Sequence, residues 1–200
     1  ILQPTLEMGE AFSKDRLAPM VRDTPCLTGK IKDPRARDSG NTLLHKTFPG
    51  GHITIAGANS PAGLASRPIR ILLCDEVDRY PESAGTEGDP VSLAMKRTQN
   101  FWNRKVVIVS TPTLKGISRI EKEYKLSSQE VWELPCPECG EYNALRFESM
   151  RYKDIAEPLM KCEHCGGEYR EQEWKSGNMR GRWHSHNPEI NAVRGFSLNA

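Results

Sequence analysis

Two matched cysteine pairs constrain this chain more than any other feature. They are Cys136-x-x-Cys139 in "CPECG" and Cys162-x-x-Cys165 in "CEHCGG", with 22 residues between them. Pairs of this kind read as one metal site, although the spacer slightly exceeds the roughly 15–20 residues usual for four cysteines. Glycine follows each pair, at Gly140 and Gly166, which lets the backbone turn tightly beneath a metal. Four thiolates in tetrahedral array favour Zn²⁺ in a closed structural site. A module this small cannot fold on its own core, so the metal is expected to be essential to it. Free or redox-active thiols are the alternative, and two matched pairs argue against it. His164 is the weaker ligand candidate because it breaks the symmetry of the two knuckles; His184 and His186 read as surface residues. Cys26 and Cys74 remain, a usage that suits a reducing compartment.

The rest of the chain has to fold by burial. Of its 200 residues 37% are apolar and 27% charged, and it holds 14 prolines at a mean hydropathy of -0.60. That supports a lean core with much loop. The net charge of +2 creates no global field that would mark a nucleic-acid binder. No stretch approaches the ~18 apolar residues of a membrane span, and "ILQPTLEMGE" lacks the pattern of a signal peptide. Without an initiator Met, the chain is expected to be an excised piece of a longer protein.

Along the chain, "ILQPT" reads as a strand stopped by Pro4. Residues 5–22 carry helical spacing through Leu6, Phe12, Leu17 and Val21, with a break or kink expected at Pro19. Residues 22–41 form a loop rich in Pro, Gly and charge. A hairpin follows, turning at Pro49-Gly50-Gly51. "ILLCDEVDRY" (71–80) begins as a continuous apolar run, the pattern of a strand covered on both faces. Asp89 caps a helix whose face is expected to hold Val91, Met95, Thr98 and Trp102. "KVVIVSTPT" is a second apolar strand, followed by a helix through Ile117, Ile120 and Tyr124. "EVWEL" then leads as a strand into the first cysteine pair, and "GFSLNA" closes the chain as another. Two apolar strands joined by a helix and ending in polar residues imply an α/β sheet. The expected division is 1–130 for that domain, 131–180 for a zinc-ribbon insertion and 181–200 for a return to the first domain.

The end of "ILLCDE" is where chemistry is expected, since open α/β sheets bind ligands at the carboxyl ends of their strands. Phosphoryl transfer from a nucleotide needs Mg²⁺ near the phosphates and a group that orients the attacking water. Asp75 suits the first task and Glu76, as general base, the second. The plainer reading is an acidic turn leaving a strand. Ser110, Thr111, Pro112 and Thr113 end the second strand, where hydroxyls can sense a phosphate; Ser, Thr and Pro also favour an ordinary turn. No G-x-x-x-x-G-K-[ST] phosphate loop occurs, and "LTGKI" does not satisfy the pattern. An ATPase built on this chain needs its phosphate-binding half upstream, and residues 1–200 alone are expected to be inactive.

Together, "LQPT", "KTFPGGHITIAGANSPAGLASRPIRILLCDEVDRYP", "VSTPTLKGISRI", "LPCPECG" and "GFSLNA" resemble the large terminase subunits of tailed phages, the lambda-type A-protein family. The resemblance covers nearly the whole chain. It implies an ATP-driven motor that packages double-stranded DNA into a procapsid, with a nuclease domain downstream. The implied fold is α/β: part of a P-loop NTPase-like (ASCE) sheet with helices on both faces, plus an inserted zinc ribbon. By position, Asp75 resembles the Mg²⁺-binding acid and Glu76 the catalytic glutamate. Ser110, Thr111, Pro112 and Thr113 resemble the motif that couples hydrolysis to movement. Implied partners are ATP, DNA, the small terminase subunit, the portal of the procapsid and further copies of the chain, in the host cytoplasm and away from membranes.

Arg67, Arg70 and Arg79 flank the acidic site and are candidates for phosphate contacts or solvated surface. Arg119 is either a residue acting on a neighbouring subunit's ATP or a salt-bridged helix arginine. Lys153, Lys161, Arg170 and Lys175 could let the cysteine module touch DNA. Two rivals stay open on the residues: another DNA-dependent ATPase such as a helicase or restriction translocase, and a zinc-ribbon binding module on an inactive scaffold.

Overall fold

A computed structural model describes residues 1–31, 40–65, 67–152 and 158–198. The chain divides into two compact units, Ile1–Ile120 and Glu121–Ala200. The first contains β1 (Leu2–Gln3), α1 (Leu6–Phe12), α2 (Ala18–Asp23), β2 (His45–Phe48), β3 (Gly51–Thr54), β4 (Ala56–Gly57) and α3 (Pro61–Ala65). It continues through β5 (Ile71–Asp75), α4 (Pro90–Lys96) and β6 (Lys105–Val109), and α5 (Arg119–Lys125) carries the chain into the second unit.

Four strands form a fully parallel sheet in the order β4-β1-β5-β6. The mixed α/β character expected from the two apolar strands is therefore present, with β1 as the neighbour of β5. Strands β2 and β3 make the separate antiparallel hairpin, turning where Pro49-Gly50-Gly51 predicts. Thr5 caps α1 by accepting from the Met8 N–H at 3.3 Å. The helix does not break at Pro19. The irregularity falls earlier, as a π turn over Ser13–Leu17 in which the Ala18 N–H bonds the Ser13 carbonyl. Such a turn accommodates one extra residue without ending the helix.

Leu72 and Cys74 of β5 are buried with Leu2, Leu64, Val77, Val91 and Ala94, so α3 and α4 cover one face of the sheet. Burying a side chain such as Leu72 contributes about 2 kcal/mol. On the other face, α1 lies against β1 and β4, with Gly9 beside Ile55 and Gln3. The β5–β6 half of that face is open: Ile71, Leu73, Val107 and Val109 are 39–54% exposed. The expectation of a strand covered on both faces thus holds for one face of β5 among the described residues. The expected α4 stripe also differs. Val91 and Thr98 are buried, but the helix ends at Lys96, so Trp102 lies beyond its periodicity and is 95% exposed.

The second unit contains β7 (Glu130–Pro135), β8 (Tyr142–Ala144), β9 (Met150–Tyr152), β10 (Pro158–Lys161), β11 (Glu168–Arg170), α6 (Glu171–Ser176), β12 (Arg182–Ser185) and β13 (Phe196–Ser197). β7 is the organising strand: β8 and β12 pair with it antiparallel and β13 parallel. β9, β10 and β11 form an antiparallel sheet. The core is Leu134, Cys136, Met160, Cys162 and Trp174. Trp174 is fully buried and its indole N–H donates to the Met160 carbonyl at 3.2 Å. Arg194 grips Glu130 with two hydrogen bonds of 2.8 and 2.6 Å, tying the last segment to the start of β7.

Candidate functional site

The acidic site is built by register. Asp75 pairs with Val109 across β5 and β6, so the next residues, Glu76 and Ser110, leave the ladder side by side. Asp75 Oδ2 accepts a 3.0 Å hydrogen bond from the Gln3 amide of the neighbouring strand β1. Its Oδ1 has no hydrogen-bond partner among the described residues. The β5–β1 junction is held from below by Tyr80, whose buried hydroxyl donates to the Leu2 carbonyl at 2.8 Å. Burial raises the Tyr80 phenol and pushes the Cys74 thiol up to about 12, so both stay neutral and unreactive.

Glu76 has left-handed backbone angles, φ 56° and ψ 46°. A non-glycine residue pays roughly 1–2 kcal/mol for this conformation, and such strain clusters at sites where a side chain must be aimed. The turn lifts the Glu76 carboxylate out of the strand direction, where it meets the Arg79 guanidinium at 3.2 Å. Arg79, read from the sequence as a flanking cation, is thus the ion-pair partner of Glu76.

Asp78 ties the exit of β5 to the exit of β6. Its backbone N–H donates to Ser110 Oγ at 3.2 Å. Its Oδ2 accepts from the Thr113 N–H at 3.0 Å and from the Thr113 hydroxyl at 3.1 Å. Its Oδ1 accepts from the Ile120 N–H at 2.8 Å, in the first turn of α5. Burial works against ionisation of this carboxyl, but hydrogen bonds from Ser118, Ile120 and Thr113 outweigh it and hold the pKa below the usual aspartate value. Ser110 and Thr113 therefore lie in the same network as the acidic turn, while Thr111 and Pro112 are exposed. Arg119 pairs with Asp89, which also caps α4 by accepting from Ser92 at 2.8 Å. Arg67 and Arg70 are exposed.

In the second unit the four cysteines converge. Cys136 and Cys165 sulfurs are 3.7 Å apart, those of Cys139 and Cys162 3.8 Å, and all four lie within 4.8 Å of one another. A tetrahedral site with metal–sulfur bonds of about 2.3 Å has edges of about 3.8 Å, so these residues fit a four-thiolate metal ion. Each pair builds the same knuckle. The Gly140 N–H bonds the Cys136 carbonyl and the Gly166 N–H the Cys162 carbonyl, both at 3.1 Å, with both glycines at φ +77°. Burial opposes ionisation of Cys162, yet the backbone N–H groups of Cys165 and His164 favour its thiolate and bring its pKa down to about 6. The His164 N–H lies 3.4 Å from that sulfur, while its ring turns away to the Tyr142 carbonyl. His184 and His186 are exposed. Lys161 and Arg170 are exposed too, Lys175 pairs with Glu171, and Lys153 lies outside the described residues.

Three contributors were not assigned from sequence. Gln3 sits in the quoted "LQPT" but reaches Asp75 only through strand order. Asp78 was visible as a further carboxylate after the acidic pair, without any sign of its partners. Asn143 is buried; it donates toward Cys162 Sγ at 3.5 Å and accepts from the Glu163 N–H at 2.9 Å, bracing the second knuckle.

The first unit thus offers a parallel α/β sheet with adjacent carboxylates at a strand end, beside a hydroxyl-bearing strand exit, and the second unit offers four clustered thiols that could hold a metal ion. The family comparison narrows the reading. The profile described as "Phage terminase large subunit gpA, ATPase domain" matches residues 1–183, and the chain belongs to that family. The large terminase subunit of Enterobacteria phage P21 is 28% identical, covering 92% of this chain and 30% of that protein. That of Escherichia phage lambda is 26% identical, covering 85% of this chain and 28% of that protein. The chain thus spans about a third of the length of these relatives. No solved structure matches it. Neither the helicase reading nor the inactive-module reading is favoured by these relatives.

Proposed function

We propose that this chain is part of an ATP-hydrolysing motor that drives double-stranded DNA into phage procapsids. The observation that carries the reading is the β5–β6 register, which sets Asp75 and Glu76 beside Ser110 at the carboxyl edge of a parallel sheet. Asp75, with one oxygen steadied by Gln3, is the proposed Mg²⁺ residue. Mg²⁺ bound there supplies charge neutralisation at the phosphate oxygens. Glu76 accepts the proton of the attacking water, and its strained turn aims the carboxylate away from the strand. Ser110, Thr111, Pro112 and Thr113 form the segment that couples hydrolysis to movement.

A phosphate loop from upstream completes the site in this reading, in an ASCE-type P-loop fold, and its strand and helix cover the open face of Ile71, Leu73, Val107 and Val109. Parallel sheets are otherwise buried on both faces. Residues 1–200 without that half are expected not to turn over ATP. The four cysteines hold structural Zn²⁺ in a zinc ribbon, proposed as an insertion over 131–180 between 1–130 and a return at 181–200. An endonuclease domain, the small terminase subunit, the procapsid portal, a ring of copies and a site of action in the host cytoplasm complete the proposal. No described helix is long and apolar enough to cross a membrane.

The test is ATP hydrolysis by the full-length protein, with and without linear double-stranded DNA, beside Glu76→Gln. Turnover is expected to fall by about 10²–10⁴-fold, the usual contribution of a general base, while ATP binding persists. Unchanged turnover in the variant removes Glu76 from the role. Absence of turnover in the wild-type protein, folded and metal-loaded, sinks the motor.

A further inference from the structure

We infer that Asp78 is the positioning residue that couples the acidic turn to the Ser110–Thr113 segment, so that hydrolysis at Glu76 is felt by β6 and the start of α5. This rests on the ATPase reading above and adds to it a residue that takes no part in the chemistry. The argument is one of shared partners. Val77 and Asp78 follow Glu76 in a single 3₁₀ turn, so any change in the Glu76 backbone moves Asp78 directly. Asp78 reaches Ser110 through its own N–H, Thr113 through Oδ2 and Ile120 through Oδ1, and Ser118 also donates to its carboxylate. Val77, next to it, is fully buried in the sheet core, which anchors the turn as a pivot.

Only an ionised carboxylate satisfies this arrangement. Oδ1 and Oδ2 both accept from backbone N–H groups, on two different segments. Asparagine has the same shape but a single acceptor oxygen, so its NH₂ would face one of the two donors. Hydrogen bonds to an ionised carboxylate are shorter and stronger than neutral ones. The alternative, that Asp78 merely caps α5, accounts for Ile120 but not for the paired contacts to Thr113 and Ser110.

The experiment compares basal and DNA-stimulated ATP turnover of the full-length wild-type protein with Asp78→Asn. The expected result is a fall of about tenfold or more in the stimulated-to-basal ratio, the scale of one charge-assisted bond, with KM for ATP and basal turnover nearly unchanged. Thr113→Val, which removes only the hydroxyl contact, is expected to lower the ratio less, and Thr113→Ser to preserve it. These two variants keep the test open if Asp78→Asn folds poorly. A ratio unchanged in both Asp78→Asn and Thr113→Val overturns the inference. So does an equal loss of basal and stimulated turnover, which is what a purely structural role produces. Wild-type protein without turnover overturns the motor reading itself, and this inference with it.

Discussion

Among the described residues the first unit holds a cluster of ten buried core side chains between Leu2 and Ala94, and Asp75 and Glu76 lie at its margin, between the buried Cys74 and Val77. The second buries five, and two of those, Cys136 and Cys162, belong to the thiol cluster. In the first unit the core borders the site without including its carboxylates, and the sheet carries Asp75 and Glu76 at its rim. In the second they coincide, and the candidate metal centre is itself packing. Two of the thiols are themselves part of their unit's packing, whereas the carboxylates of Asp75 and Glu76 are not.

The largest effect that would break this comparison comes from metal removal. Structural four-ligand zinc sites contribute on the order of 10 kcal/mol of folding free energy. Chelation, or Cys162→Ser, is expected to unfold the second unit while residues 1–120 keep their protection. Hydrogen exchange read by peptide mass spectrometry checks this, and retained protection across 134–174 would count against a structural metal. Next in size is Trp174→Ala, expected to cost about 3–5 kcal/mol with the loss confined to the second unit. Leu72→Ala is its counterpart in the first, at about 2–5 kcal/mol, and should lower the stability of the sheet that holds Asp75. If either substitution destabilises both units equally by denaturant titration with unit-specific probes, the two cores are not separate.

The smallest effects sharpen the contrast at the rim. Asp89→Ala removes both the α4 cap and the Arg119 pair, and is expected to cost about 1 kcal/mol in thermal melting. Acid should act on the same groups. The carboxyls of Asp78 and Asp89 are held below their ordinary range, Asp89 by Arg119 and Ser92 against the opposing effect of burial. A depressed folded pKa stabilises fully above the unfolded value near 3.9 and is lost as pH falls through the folded value. Melting of the first unit is thus expected to decline below about pH 4, and less steeply in Asp78→Asn. An identical decline in that variant would remove Asp78 from the account.

Some of this was legible in the sequence because its cause is local. Cysteine pairs with two residues between them and followed by glycine can form only a small set of knuckles, and both knuckles form with the same hydrogen bonds. The strand character of Ile71–Asp75 and Lys105–Val109 follows from β-branched and apolar runs, and Asp89 before Pro90 announces a helix start. The irregularity expected at Pro19 falls just before it, because a π turn over Ser13–Leu17 absorbs the proline penalty without ending the helix. Trp102 was assigned to a helix face because i,i+4 spacing cannot reveal that the helix has stopped.

By itself, the sequence determined the chemical inventory: four thiols in two knuckles, two adjacent carboxylates after an apolar run, hydroxyls after another, and the kinship these carry. Tertiary structure alone decided which strand lies beside which. Gln3 meets Asp75 across 72 positions, and Asp78 meets Thr113 across 35. Such contacts depend on strand order and register, which backbone pairing and the burial of Leu72 and Cys74 select. No local pattern encodes them, because the energy that fixes them is released only when distant segments share one sheet.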